Sequence, residues 1–174
     1  WYNKQKRILP FRDIDDPYKI WLSEVMLQQT QIETVIPYFQ KWIIKYPTIL
    51  SVATADQECL LKLWEGLGYY SRCRNFHKAT KIVVAKHGGV IPDKWSEFRA
   101  LPGVGDYTAA AVLSIAYNQP YIAIDGNVSR GMARILGIKN LSNRNMTRMK
   151  NYQTKNILND NPGECNKRMM EGGA

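Results

Sequence analysis

Two carboxylates stand out by where they sit. Glu24 is the one acid in the otherwise apolar stretch Trp21-Leu22-Ser23-Glu24-Val25-Met26-Leu27-Gln28-Gln29-Thr30. Apolar surroundings raise a carboxyl pKa, which would let Glu24 donate a proton near neutral pH. The competing reading is an exposed position on a helix face. Asp125 stands before Gly126-Asn127-Val128, where a helix begins. It reads equally as a helix N-cap or as a catalytic carboxylate, and the two uses do not exclude each other. Between them lies Leu101-Pro102-Gly103-Val104-Gly105-Asp106-Tyr107-Thr108-Ala109. Gly103 and Gly105 permit a tight turn and close approach to another surface, while Val104 can pack back into the flanking helices. The next helix offers unpaired N–H groups and a positive dipole end, suited to an anion such as a phosphate. Such a turn grips a nucleic-acid backbone without reading its sequence. It can also simply join two helices. The acid downstream and the motif upstream add weight to the first reading.

The elements that must position these groups read as helices, and no region alternates cleanly enough for a sheet. Tyr18, Trp21, Leu22, Val25, Met26, Gln29 and Ile32 share helical spacing, which predicts a helix ending towards Pro37. Tyr38, Phe39, Trp42, Ile43 and Tyr46 form the next stripe, stopping at Pro47. Residues 56–64 predict a third helix closed by Gly66 and Gly68, and 75–87 a fourth stopped by Gly88-Gly89. Residues 96–101 and 108–117 are the arms of the hairpin. The apolar run Tyr121-Ile122-Ala123-Ile124 leads into Asp125, and 128–136 is helical again. Beyond Gly137 the chain turns polar and Asn-rich, with a helix expected around 149–158. The fold class is all-α.

Composition bounds the function. The chain has 174 residues, 45% hydrophobic and 11% aromatic, which excludes a disordered protein. No run spans a bilayer and no signal peptide opens the chain, so a soluble intracellular protein with no membrane partner is expected. Lys and Arg number 24 against 15 Asp and Glu, a net charge of +9 that suits a polyanionic partner, nucleic acid before a membrane surface, and on charge alone equally a merely soluble basic protein. Cys59, Cys73 and Cys165 form neither a disulfide framework nor a metal-ligand spacing, and His77 and His87 make no zinc pattern. All three thiols are expected to be buried, reduced and inert.

Four segments in order, WLSEVMLQQTQIETVIPYF, WEGLGYYSRCRNFHKA, LPGVGDYTAAAVLSIAY and IDGNVSRGMAR, closely resemble adenine DNA glycosylases of the MutY type. These belong to the helix-hairpin-helix glycosylase superfamily, with the endonuclease III type among its other members. The resemblance covers roughly residues 1 to 138. It implies a two-lobed helix-hairpin-helix glycosylase fold with the active site in the cleft between lobes. One lobe would span 19–127, and 1–18 with 128–174 would form the second. It also implies excision of adenine mispaired with 8-oxoguanine or guanine from double-stranded DNA, by a monomer acting on chromosomal DNA in the cytoplasm, or in the nucleus of a eukaryote.

Roles follow position by position. Glu24 matches the acid that protonates adenine, and Asp125 the carboxylate that stabilises or captures the sugar cation, a nucleoside counterpart of glycoside hydrolysis. Asn127 matches the polar residue supporting that carboxylate. Tyr107 occupies the position where the endonuclease III type carries its lysine nucleophile. Without that amine there is no Schiff base, so excision without efficient strand cleavage is implied. Lys78, Lys81 and Lys139 do not align with that lysine. The base must leave the stack before reaction. Gln29 and Tyr69 match residues that wedge into the duplex; a solvent-facing helix residue and a partly buried aromatic are their alternatives. Arg7, Phe11 and Glu171 match the adenine pocket, with Phe11 in place of the usual tryptophan. Gly103, Val104 and Gly105 would hold a phosphate, and the resemblance suggests a monovalent cation at the hairpin.

The tail departs from the pattern. Cys165-Asn166-Lys167-Arg168-Met169-Met170-Glu171-Gly172-Gly173-Ala174 is an altered form of a family segment like FNQALMELGA. Lys167 and Arg168 replace small or apolar residues, which would weaken packing of that helix. Relatives continue into four cysteines holding a four-iron four-sulfur cluster, and then into a domain that recognises 8-oxoguanine. No cofactor is expected within this chain, which starts at Trp1 rather than Met and reads as a fragment or trimmed piece. The parent's cluster, or membership of the clusterless branch, stays open. Two alternatives remain: a thymine or uracil mismatch glycosylase, against which Glu24 argues, and a non-catalytic helix-hairpin-helix DNA-binding fragment.

Overall fold

Asp16 starts the first helix. Its Oδ1 accepts the Tyr18 amide at 3.0 Å, and Pro17 takes the first helical position, where a missing N–H costs nothing. The structure, a computed structural model, describes residues 9–11, 14–140, 142–156 and 161–172, apart from the side chains of 143, 153, 154, 156, 171 and 172. The described residues are helical with no strand: α1 Pro17–Leu27, α2 Ile32–Lys45, α3 Ile49–Ala53, α4 Gln57–Trp64, α5 Ser71–His87, α6 Trp95–Arg99, α7 Asp106–Tyr117, α8 Gly126–Leu136, α9 Asn143–Asn156 and α10 Pro162–Gly172. None is long and apolar enough to cross a membrane. The chain divides into two compact units, one of residues 8–109 and one of residues 1–7 with 110–174, so that α7 begins in one and continues into the other.

The first unit is built around aromatic rings. Trp21 of α1 meets Phe76 of α5 edge-on at 4.8 Å and Phe98 of α6 at 5.2 Å, and Trp42 of α2 meets Trp64 of α4 at 5.6 Å. Edge-to-face pairing adds to the burial of these large side chains. Some polar atoms in this core find partners: Trp42 Nε1 donates to Tyr18 Oη at 3.0 Å, and Tyr18 Oη donates to Tyr46 O at 2.6 Å, whereas Trp21 Nε1 and His77 Nε2 have none. The expected helix running towards Pro37 is interrupted. α1 stops at Leu27, Gln29 takes a left-handed φ of 55°, and Pro37 lies inside α2. Residue spacing alone did not show this break, and the carbonyl of Gln28, just past it, accepts Arg72 Nη1 from 44 residues away. α5 starts at Ser71, a turn before the expected start, and ends as expected at Gly88, φ 61°.

In the second unit Val128 and Met132 of α8 pack with Met149 of α9, flanked by Ile124, Leu136, Ile138, Met146, Met169 and Met170. α8 is capped by Asp125 and closed by Gly137, φ 63°. α10 reaches α7 so closely that a Cβ on Gly163 would stand 2.6 Å from Ser114 O. Its buried Asn166 donates to Ser114 Oγ and Tyr121 O, each at 2.8 Å, and accepts the Ala123 amide at 3.1 Å. The Lys167 that was expected to weaken this helix is half-buried and pairs with Glu164 along it at 3.2 Å. One expectation fails among the thiols. Cys73 is buried, with its pKa pushed up to about 12 by burial, and Cys165 is half-buried, but Cys59 is exposed on α4.

Candidate active site and nucleic-acid interface

Glu24 lies in α1 among Trp21, Leu22, Val25 and Met26, all buried, and is itself 8% exposed. An exposed helix-face position is thereby excluded. One turn on, the chain leaves the helix. Gln28 Nε2 donates to Thr108 Oγ1 at 3.1 Å, tying the end of α1 to the start of α7, and the next residue, Gln29, projects exposed. Tyr69 is 58% exposed and also left-handed, with φ 47°, in a loop between Gly66 and Gly68 and the start of α5. The structure therefore brings two non-glycine residues of the same unusual backbone class to exposed loop tips of one unit.

The turn between α6 and α7 separates its two glycines. Gly103 has φ 78°, a region that L side chains disfavour, and a Cβ there would lie 2.9 Å from Asn75 Cβ. Gly105 has neither restriction: its surroundings are open. Val104 is buried as expected, and its amide donates to Leu101 O at 3.1 Å. Its carbonyl accepts Arg99 Nη1 at 2.8 Å, and Arg99 Nε also meets Asp106 Oδ1 at 2.6 Å. A monovalent cation at this turn would have to share Val104 O with a guanidinium, so the residues present do not fit one well. Tyr107 follows at the second position of α7, half-buried.

In the second unit Asp125 Oδ1 accepts the Val128 amide at 2.6 Å, the N-cap use expected of it. Its other carboxylate oxygen is not consumed by that cap. Asn127 is half-buried, and its Oδ1 accepts Arg130 Nη2. Asp125, Asn127 and Arg130 therefore gather at the start of α8. Glu24, Gln29, Tyr69, Tyr107 and the Gly103–Gly105 turn belong to the first unit and Asp125 and Asn127 to the second. Phe11 is buried in the first unit with its ring edge-on to Phe39 at 5.4 Å. Arg7 and the side chain of Glu171 lie outside the described residues. Among the described residues no group of three His, Cys, Asp or Glu side chains could hold a metal ion.

Reasoning from spacing missed Arg72, Arg99 and Asn166. Each acts on main-chain atoms, which lie more than 40 residues away for Asn166 and, on the α1 side, for Arg72.

Residues 22–154 match the family described as HhH-GPD superfamily base excision DNA repair protein. The chain belongs to this superfamily. It is 38% identical over 177 residues to the adenine DNA glycosylase of Buchnera aphidicola subsp. Acyrthosiphon pisum (strain APS), covering 100% of this chain and 51% of the relative. Against the adenine DNA glycosylase of Homo sapiens it is 40% identical over 185 residues, covering 100% of this chain and 34% of the relative. The chain thus spans about half or less of the length of these relatives. A thermostable thymine-DNA glycosylase structure matches with a TM-score of 0.87 at 27% identity, over 99% of this chain and 81% of that one. A non-covalent endonuclease III–DNA complex matches at 0.78 and 23% identity, over 97% and 78%, which bears on the HhH-GPD fold alone.

Proposed function

We propose that this chain is the core of a monofunctional adenine DNA glycosylase, acting on adenine opposite 8-oxoguanine or guanine in duplex DNA. What carries the reading is similarity to adenine DNA glycosylases along the whole chain, at 38% to 40% identity in the two relatives above. The net charge of +9 suits a duplex partner. In this reading Glu24, buried in α1, protonates the adenine ring so that it leaves as a neutral base. Asp125 stabilises the positive charge that develops on the sugar or captures it, and water completes hydrolysis. Asn127 orients that carboxylate. Gln29 and Tyr69 enter the duplex while the adenine is extruded, at a cost of a few kcal/mol in lost stacking and pairing. The Gly103 and Gly105 amides hold a phosphate, with Val104 between them turned into the fold by its bond to Leu101 O. Arg7, Phe11 and Glu171 are assigned to the adenine pocket by resemblance alone.

Tyr107 supplies no amine, so the product is an abasic site with an intact strand. A thymine or uracil glycosylase would have little use for a buried acid at position 24. Single-turnover excision by Glu24→Gln tests the assignment: adenine release should vanish while mismatch binding persists. Equal loss of binding would make Glu24 a structural residue.

A further inference from the structure

We infer that Arg72 is the positioning residue for both duplex wedges, holding Gln29 and Tyr69 in place by binding the main chain of their two loops at once. The inference rests on the glycosylase reading above and deepens it.

Arg72 is the second residue of α5 and only 8% exposed. Its Nη1 donates to Met26 O at 2.7 Å, to Val25 O at 3.2 Å and to Gln28 O. These are the carbonyls that α1 would otherwise pass on to the amides of its next turn. Diverting them ends the helix at Leu27 and lets Gln29 swing out. On the other side Nη2 donates to Gly68 O at 3.1 Å and Leu67 O at 3.3 Å, and Nε reaches Tyr69 O at 3.4 Å. The guanidinium carbon also sits 5.3 Å from the Tyr69 ring centroid and 5.4 Å from that of Trp64. One planar group therefore joins the residue before the first wedge to the carbonyl and ring of the second.

The conformations it joins are the ones least able to hold themselves. Gln29 and Tyr69 both have positive φ, and neither is glycine. Left-handed backbone is disfavoured for L residues and persists where surroundings over-determine it. Arginine suits this task because its donors form a rigid fork. A lysine keeps the charge and most of the stem, but its single nitrogen cannot serve two loops.

The test is a mutant cycle on this chain. The probe is a duplex carrying 2-aminopurine beside an adenine–8-oxoguanine pair, whose fluorescence rises when the stack opens; a fully paired duplex is the control. Arg72→Lys is made alone and in a Gln29→Ala/Tyr69→Ser background, and melting temperatures are recorded for every protein. The preference for mismatched over paired duplex should fall about tenfold or more on Arg72→Lys alone. In the background without wedges the same change should cost no more than about twofold, since there is nothing left to position. Equal losses in both backgrounds, no loss in either, or a variant that melts below assay temperature would each make Arg72 an ordinary core residue and overturn the inference. A parent chain that opens neither duplex would instead remove the glycosylase reading, and the inference with it.

Discussion

Asn166 in α10 accepts the Ala123 amide at 3.1 Å, two residues before Asp125, and its own amide group donates to Tyr121 O at 2.8 Å. One buried side chain thus pairs with the extended segment on both sides of Ile122 and anchors the approach to α8, where the carboxylate emerges. The third bond, to Ser114 Oγ at 2.8 Å, fixes the same amide to α7. Every hydrogen-bonding atom of the group is used.

Removing that group should cost more than an ordinary surface change. Asn166→Ala leaves the buried Ala123 amide without its acceptor and takes a donor from Tyr121 O and Ser114 Oγ, which predicts a loss of about 3 kcal/mol in a denaturation experiment. Asn166→Asp keeps the acceptor for Ala123 but sets an oxygen against Tyr121 O, and should be nearly as damaging. An Asn166→Ala protein as stable as the parent would contradict the assigned contacts.

The two hairpin glycines should separate under substitution. Gly103→Ala forces a side chain into left-handed backbone and against Asn75, at about 3 kcal/mol. Gly105→Ala meets open space and loses only a better N-cap, about 1 kcal/mol or less, yet it should weaken duplex binding if the turn approaches a phosphate. Melting curves and duplex titrations on the pair check this. Equal destabilisation would place the turn wrongly.

A third prediction concerns pH. His77 is buried in α5, and burial first, then Lys81, lowers its pKa below the ordinary 6.5. The ring has backbone hydrogen bonds at Ala53 and Ala55, while Nε2 has no partner. The fold therefore favours the neutral ring. Its contribution is complete above 6.5 and is lost as pH falls below that value, because the unfolded chain then binds the extra proton. Thermal melting should weaken between about pH 7.5 and pH 5.5, and His77→Gln should flatten that slope. An unchanged slope would assign it to other groups.

Tyr107 offers a gain-of-function prediction. Tyr107→Lys puts an amine where the endonuclease III type carries one, and should yield some covalent adduct with abasic-site DNA under borohydride. Absence of any adduct, in a variant that still releases adenine, would argue that the side chain at position 107 does not reach the sugar.

Much of this was legible in the residues. Helical spacing, the Asp125 cap and the glycine stops located most of the helices, and Glu24 drew notice as an acid among apolar neighbours. The break after Leu27 was not legible, because a left-handed glutamine carries no local signal and depends on an arginine far along the chain. α3 is too short to show a period, and α10 is held by one asparagine and one glycine whose partners are 43 to 52 residues earlier. Spacing reports what neighbours in sequence do. It is silent on a side chain that binds distant main chain.

The most direct measurement is single-turnover adenine release from a duplex with adenine opposite 8-oxoguanine, read with and without alkali. The account predicts release by the parent chain, strand breaks only after alkali, and no release by Glu24→Gln. Breaks without alkali would contradict the monofunctional chemistry assigned to Tyr107. Release that survives Glu24→Gln would contradict the central claim that the buried acid of α1 delivers the proton.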